Sequence, residues 1–470
     1  MPDLLVVGAG PAGLAAAVKA AQLGLDCMIV DENASAGGQY YRQPRDVETA
    51  GFLVDSRQRR GRAKIDEVAA AATLRLGCAV YGLDTQHRVW MDQDGAADFI
   101  NPRCVLLATG AYDRPVAFPG WTLPGVMAAG SAQALVKSQQ VRPGSRAVIA
   151  GSGPFLFVVA VQLLKAGVDV VEVVEAATAR KSLPHLDLAG SLRYPSRFAE
   201  LVGYLLPLIR AGTKIRQGEI IASADGDGCL QQVRLRSTSI GGDGPHVLER
   251  VIDADLLCVG YGFSASTELA RLAGCALAWD EGLHQNVPAC DEWQATSVDG
   301  VFVAGEACGL GGAPVAECEG ELAAIGIARR IGRIQEAEAH RMAAPIRRRL
   351  RGLRRFAAVL PALFPTPPQL AELAMPNTIV CRCQNVTFDR VLEAVMHEGA
   401  ATLNEVKTTA LCGMGWCQGR ICGSVLPPLL AQRVGTAFDV TSAFTARNPV
   451  RPVKVSSLAK LAPSEDARGA

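Results

Sequence analysis

The sequence carries almost no net charge: 47 Lys and Arg against 46 Asp and Glu leave +1 over 470 residues. That excludes the broad basic field of a nucleic-acid binder. It also lacks any uninterrupted apolar run of about 18 residues, the length a membrane-spanning helix needs, so an integral membrane protein is not expected. Histidine is scarce. The six residues His87, His185, His246, His284, His340 and His397 are scattered, form no HExxH motif and suggest no catalytic triad. No charged and apolar leader precedes the first strand, because Met1-Pro2-Asp3 runs straight into Leu4-Leu5-Val6-Val7. The expected location is therefore cytoplasmic, with peripheral attachment at the inner membrane left open. The sequons at Asn33 and Asn385 then count as chance matches.

What the chain has is length, glycine and cysteine. Four hundred and seventy residues allow about three domains. With 49% apolar and 20% charged residues the composition is globular, and 48 glycines point to tight turns and close backbone approaches. Fourteen cysteines are too sparse for a secreted disulfide framework, so most are expected as reduced thiols, either buried fillers or metal ligands.

The first thirty residues read strand, turn, helix, strand. Leu4 to Val7 is a buried strand, Gly8-Ala9-Gly10-Pro11-Ala12-Gly13 the turn, Leu14 to Leu23 an Ala-rich helix, and Cys27 to Val30 a strand ending at Asp31. This is a dinucleotide-binding unit in full context. Gly8 permits the turn, Gly10 lets the backbone reach a pyrophosphate, and Gly13 lets helix and strand touch. The helix start offers N–H groups to phosphates, and Asp31 is placed for a ribose hydroxyl.

A second unit begins at Arg146. Its strand leads to Gly151-Ser152-Gly153-Pro154-Phe155-Leu156, a helix from Val158 to Ala166, and a strand from Val168 to Val174 ending at Glu175. Leu156 stands where the third glycine belongs, so the fold is expected while the ligand stays open: none, NAD(P), or another adenine nucleotide such as ATP. Two further buried strands, Val105 to Ala111 and Asp299 to Ala307, complete the pattern of one dinucleotide domain interrupted by another. A helix from Val315 to about Ile331 presents a second N-terminus to the ligand, and Glu306 is in place for a ribityl or ribose hydroxyl.

From Arg329 to Arg355 there are ten Arg and two acidic residues, with Ile346, Leu350, Leu353 and Ala357 on one helical face. Such a helix is either a solvated face or a docking surface for an acidic partner. Pro361, Pro365, Pro367 and Pro368 then mark a linker.

Beyond it, five cysteines fall within 42 residues. Cys381-Arg382-Cys383 precedes a helix with Thr387 as N-cap and Phe388, Val391, Leu392, Val395 and Met396 on one face. Thr402 to Glu405 is a capping box, and Cys412, Cys417 and Cys422 sit in a Gly-rich loop before a third helix. Four thiolates suit a [2Fe–2S] cluster or zinc. A CxC pair is tight for a zinc knuckle, and the glycine loop offers N–H groups to bridging sulfides, which favours the cluster. Cys381 and Cys383 are the first pair. Cys412/Cys417 and Cys417/Cys422 both fit as the second; Cys417 and Cys422 are preferred because Cys422 meets a helix N-terminus.

These motifs, together with Gly37-Gly38-Gln39, Phe118-Pro119-Gly120-Trp121-Thr122-Leu123-Pro124-Gly125-Val126, Gly300 to Glu306 and Gly413-Met414-Gly415-Trp416-Cys417-Gln418-Gly419-Arg420-Ile421-Cys422, run through nearly the whole chain. The chain resembles the A (alpha) subunits of heteromeric bacterial amino-acid and opine dehydrogenases, including opine oxidase, D-hydroxyproline dehydrogenase and hydrogen cyanide synthase. The resemblance implies an α/β flavoprotein with an FAD domain (1–135 and 280–330) interrupted by a second Rossmann-like domain (136–279). A basic helix and linker (331–374), a small helical module similar to bacterioferritin-associated ferredoxin that binds [2Fe–2S] (375–432), and a tail (433–470) follow. It implies FAD contacts at Gly8, Gly10, Pro11, Ala12, Gly13, Asp31, Glu32, Gly38, Gln39, Arg42, Val80, Ala108, Thr109, Gly110, Gly305 and Glu306, and cluster ligands Cys381, Cys383, Cys417 and Cys422. It also implies partners in the form of an FAD-containing beta subunit and a small iron–sulfur gamma subunit, and leaves a second flavin such as FMN at the subunit contact open. Related flavoproteins often carry Asp where Glu306 stands. Dithiol reductases of this fold carry a redox-active cysteine pair; residues 32 to 77 hold no Cys and the second domain no CxxC, so that activity is not expected. No general base for substrate oxidation is evident in the sequence.

Overall fold

The structure is a computed structural model that describes residues 1–44, 56–84, 86–178, 195–238, 249–435 and 443–461. His185 and His246 lie outside them. Two five-stranded parallel sheets organise the chain. The first runs, in spatial order, Val301–Val303, Cys104–Leu107, Leu4–Val7, Cys27–Asp31, Thr73–Leu76. Its central strand, Leu4–Val7, is buried along its whole length, as a parallel strand covered on both faces must be. One covering layer is the helix Pro11–Gln22 against the helix Ala313–Arg330. A Cβ on Gly320 would come within 2.1 Å of the Ala12 carbonyl oxygen, so the small residues of both helices are what allows the approach. A three-stranded antiparallel sheet, Cys78–Leu83, Val89–Gln93 and Ala96–Ile100, extends this unit.

The second sheet runs Lys214–Gln217, Asp169–Glu175, Arg146–Gly151, Leu256–Gly260, Val126–Ala128. The strand Val126–Ala128 joins it through register with Leu257–Val259, so residues 126–128 sit in the second unit, not in the first as the sequence boundary at 135 had them. The antiparallel pair Ala111–Asp113 and Phe263–Ala265 ties the two units together. The predicted strand 105–111 is correspondingly split into Cys104–Leu107 and Ala111–Asp113.

The arginine-rich helix spans Glu336–Leu363. Leu350 is buried, and Ile346 and Leu353 pack beside it against Trp293, Leu322 and Ile325. Several of its arginines serve the chain itself: Arg354 meets Glu319 at 2.8 Å, Arg347 meets Glu292 at 3.1 Å and lies 4.1 Å from the Trp293 ring centre. Among the described residues no helix is long and apolar enough to cross a membrane.

The C-terminal module holds the helices Phe388–Met396, Leu403–Ala410 and Cys422–Val434. The Thr402–Glu405 capping box forms in both directions. Thr387 is at the N-cap position of its helix, but its hydroxyl bonds the Asp389 carboxylate instead of a backbone N–H. Residues 443–461 are more than a tail. The Phe444 ring packs against Gly413, Gly419 and Gly423, Val450 donates its N–H to the Tyr81 carbonyl, and Arg451 pairs with Glu32 at 3.2 Å.

Candidate functional site

A cleft of about 1750 Å³ runs across the carboxyl ends of both parallel sheets, where ligands of such folds bind. One end of it is walled by glycine. The Gly8 turn needs φ +110°, and a Cβ there would meet the Ala108 carbonyl oxygen at 2.4 Å. Gly38 touches Gly10: a Cβ on Gly38 would lie 2.8 Å from the Gly10 Cα. Gly10 itself has open space, since a Cβ would find only Gly38 Cα at 3.9 Å. Gly10 is the N-cap of the helix Pro11–Gln22, and no side chain caps it. Its first-turn N–H groups therefore remain for an anion in the cleft. The helix Ala313–Arg330 begins the same way, uncapped at Gly312, with Gly311 and Gly312 on the cleft wall. A glycine cradle with two free helix starts fits a dinucleotide pyrophosphate.

The residues expected from the sequence distribute unevenly over this cleft. Gly8, Gly10, Pro11, Ala12, Gly38 and Gln39 line it at the turn, Val80, Ala108, Thr109 and Gly110 on one side, Gly305 and Glu306 on the other. Gly13 faces the strand: a Cβ would lie 1.9 Å from the Gly8 carbonyl oxygen, so its role is helix–strand contact. Arg42 is not on the cleft wall, and its carbonyl accepts from Gln58 Nε2. Asp31 is on the wall, but its carboxylate already accepts from Ala9 N at 2.7 Å and from both nitrogens of Asn33 at 2.8 Å. Asp31 thus holds the turn in shape, while Glu32, half exposed beside it on the cleft wall, has Oε2 on Arg451 and leaves Oε1 for a ligand. Burial raises the Glu306 carboxyl above the usual range, and a hydrogen bond from the Gly312 backbone partly offsets this. Glu319, unremarked in the sequence, is buried and accepts from Gly305 N and Arg354, fixing the turn that carries Glu306.

In the second unit the equivalent acid is fully engaged. Glu175 accepts from Gly153 N at 2.8 Å and Ala177 N at 3.0 Å, and burial raises its carboxyl above the ordinary value. Leu156 is completely buried. Its Cδ2 fills the space over Gly151 and Gly260, coming within 2.9 and 3.0 Å of where their Cβ atoms would be. The Ser152 hydroxyl reaches the Pro365 carbonyl at 3.3 Å, so the end of the arginine-rich segment lies against this turn.

The cysteine module closes the other end of the cleft. Cys417, Arg420 and Ile421 are part of its wall, alongside Thr109 and Tyr112. Cys381 neighbours both Cys412 and Cys422, and Cys383 neighbours Cys417, while among the described residues no three such side chains stand close enough to hold a metal ion as they are. The neighbouring Cys412 and Cys422 thiols, and then backbone N–H groups of Gly413 and Gln384, pull the Cys381 thiol below its usual range. Gly415 makes the approach of the two loops feasible, since a Cβ there would lie 2.3 Å from Cys383 Cβ. Thiolate donors with amide N–H groups aimed at them fit an iron–sulfur cluster. The module is docked through the Phe118–Val126 motif: Trp121 Nε1 donates to the Ile379 carbonyl at 2.7 Å, and Arg382 stacks 5.8 Å over the Trp121 ring. Sequence spacing gave no hint of that contact or of Phe444.

The other nine cysteines do not form one class. Cys27, Cys78, Cys104, Cys258, Cys275 and Cys318 are buried, and burial pushes Cys27 and Cys258 up to about 12. Cys229 is exposed, and Cys290 and Cys308 are half-buried, so six of these nine are the buried fillers that were expected of most cysteines outside the ligand set.

Comparison with known proteins agrees with this architecture. Residues 2–340 match the pyridine nucleotide-disulphide oxidoreductase family and residues 379–432 the BFD-like [2Fe-2S] binding domain. The A subunit of opine oxidase from Rhizobium meliloti (strain 1021) is 32% identical over 476 residues, covering 98% of each chain. The HcnB subunit of hydrogen cyanide synthase from Pseudomonas aeruginosa is 32% identical over 465 residues, covering 97% of this chain and 98% of its own. Among solved structures, L-proline dehydrogenase from P. horikoshii superposes with a TM-score of 0.69 over 97% of this chain and 79% of that one, at 20% identity, a likeness of fold. The chain is an FAD- and [2Fe–2S]-binding oxidoreductase of the pyridine nucleotide-disulphide oxidoreductase family, in the group that contains HcnB and the A subunit of opine oxidase.

Proposed function

We propose that this chain is the electron-transfer subunit of a heteromeric dehydrogenase, taking electrons that a partner FAD-containing beta subunit removes from an amino acid or opine and passing them to an external acceptor. The observation that carries this reading is the shared wall: Cys417 and Arg420 border the same cleft as the glycine cradle. Bound flavin supplies two-electron chemistry and the cluster one-electron chemistry; this chain's residues hold the two side by side and tune them. Gly8, Gly10, Gly38 and the helix start at Pro11 seat the pyrophosphate, Glu32 takes the ribose, and Glu306 the ribityl chain. For the cluster, Cys381, Cys383, Cys417 and Cys422 are favoured. Cys381 neighbours both Cys412 and Cys422, so Cys412 stays the alternative to Cys422. A small iron–sulfur gamma subunit, and an FMN at the subunit contact, complete the expected assembly. The arginines of the helix Glu336–Leu363 that meet no carboxylate among the described residues, such as Arg351 and Arg355, are the surface offered to an acidic partner.

The test is co-purification of the complex from its native host, followed by a screen of amino acids and opines, D-hydroxyproline included, with a dye acceptor. Dye reduction that needs both this chain and a partner supports the reading; dye reduction by the partner alone refutes it. A second reading, an NAD(P)H-dependent reductase of a ferredoxin or quinone, draws on the Gly151-Ser152-Gly153 turn. Rapid bleaching of the flavin by NADH or NADPH, with this chain alone, is its signature.

A further inference from the structure

A second chamber, of about 630 Å³, lies between the cluster module and the segments 112–117 and 264–286. Gln418, Gly419 and Gly423 are on its wall, each within two residues of Cys417 or Cys422, so it reaches the cluster loop itself. Tyr112, His284 and Arg420 line both this chamber and the flavin cleft. Its polar groups are mostly cationic: the guanidinium groups of Arg114, Arg271 and Arg420 stand against one carboxylate, Glu268. That carboxylate is engaged, since it accepts from Ser266 Oγ at 3.1 Å and meets Arg420 Nε at 3.4 Å. Arg114 is held by the carbonyls of Phe263 and Leu283. Arg271 makes no side-chain hydrogen bond or ion pair among the described residues, and burial lowers its pKa more than the nearby Glu268 raises it. Ser264 is 1% exposed, and its Oγ has no hydrogen-bond partner among the described residues. Donors left unmatched on a buried wall point to a ligand that brings oxygen acceptors. The remaining wall is apolar, with Val116, Leu370, Val425 and Leu429 inside. Leu277 and Trp279 share one face of the strand Leu277–Asp280 and are each 37% exposed, which makes the mouth apolar as well.

From this chamber we propose that the external acceptor is a quinone, bound with its ring carbonyl oxygens at Arg271 and Ser264 and its apolar ring and tail along Leu277 and Trp279. The inference rests on the electron-transfer reading and names the acceptor in it. Quinone reduction turns two C=O groups into C–OH and takes up two electrons and two protons, the same numbers that oxidation of dihydroflavin releases. The electrons pass through the cluster one at a time. The protons are exchanged with water, which the exposed His284 meets at the boundary of the two cavities. Negative charge grows on the quinone oxygens as electrons arrive, and the guanidinium groups stabilise that charge where it develops. A simple carboxylate would also satisfy the arginines, but it has no use for an apolar mouth or for a place beside the cluster loop.

The experiment uses the whole chain with flavin and cluster bound, without air. Oxidised protein is irradiated with an azido-ubiquinone and the labelled peptides are mapped by mass spectrometry. Protein reduced with dithionite and freed of excess reductant is then mixed with ubiquinone-1, or with phenazine methosulfate as an acceptor that needs no chamber. The expected result is label within residues 264–286 or 425–429, displaced by ubiquinone-1, and a reoxidation rate that saturates with ubiquinone-1. Arg271→Gln, and Trp279→Ala at an exposed side chain, are each expected to raise the half-saturating concentration about tenfold, with flavin, iron and the phenazine rate unchanged. Label confined to other segments, a rate strictly proportional to ubiquinone-1, or variants that match the native chain overturn the proposal. Displacement of the label by benzoate but not by ubiquinone-1 assigns the chamber to a carboxylate and overturns it too. Reoxidation by phenazine but not by ubiquinone-1 overturns this inference alone, whereas failure of both acceptors overturns the electron-transfer reading with it.

Discussion

The two dinucleotide units start from nearly the same turn and end differently. In the first, Gly13 presses the helix onto the Gly8 carbonyl, Gly10 faces open space, and the cleft is left for a ligand. In the second, Leu156 fills the space over Gly151 and Gly260 and Ser152 meets Pro365, while Gly153 is as open as Gly10 and lines the same cleft. At the third position of the turn one unit therefore has a close helix–strand contact and the other a buried side chain. What distinguishes them is where the side-chain volume goes, not the order of strand, turn and helix.

The largest effect expected from breaking this contrast is on stability. Leu156→Gly, which restores the missing glycine, removes a fully buried side chain from the first turn of the helix Phe155–Lys165, a cost of about 3–5 kcal/mol. Denaturant unfolding measures it; a change within the error of the native curve would mean Leu156 is no support. Next is Gly10→Ala. The new Cβ clears the protein, so the fold is retained, but it projects towards the pyrophosphate, and flavin affinity is expected to fall by about tenfold or more. The partner substitution Ser152→Ala should leave flavin content unchanged; equal flavin loss in both would erase the distinction between the units. Cys422→Ser is expected to remove most iron and sulfide from the chain, while Cys412→Ser keeps both, as read by metal analysis and the visible spectrum. The reverse pattern would move the ligand set.

The smallest effect concerns Asp113, on the strand that joins the units. Its carboxyl accepts from Gly130 N at 3.1 Å, and burial raises it to about 6. A carboxyl raised on folding costs stability when ionised: the cost is absent below the unfolded value near 3.8 and complete above about 6. Asp113→Asn keeps the acceptor and removes the charge. It should therefore raise the melting temperature relative to the native chain at pH 8, by the equivalent of about 1 kcal/mol, and not at pH 4.

The first unit was readable because a dinucleotide turn imposes glycine at positions that local geometry dictates, and because Leu4–Val7 and Cys27–Asp31 are continuous apolar runs. The capping box at Thr402 was equally plain. The boundary near 126 was not, since a three-residue strand joins its sheet only through tertiary register. Asp31 was legible as the acid at the strand end, but not that Ala9 and Asn33 occupy it. The meetings of Trp121 with Ile379 and of Phe444 with three glycines are long-range contacts without periodic signal. No spacing rule encodes them.

We propose that a flavin and a cluster bound along one cleft exchange electrons within this chain. Rapid mixing of the oxidised holoprotein with less than one equivalent of dithionite, followed by flavin absorbance and freeze-quench EPR of the cluster, tests it directly. The expected result is that the two centres reach a common equilibrium within milliseconds, independent of protein concentration. Flavin and cluster populations that stay out of balance for minutes, or that equilibrate only at a rate proportional to protein concentration, would contradict it.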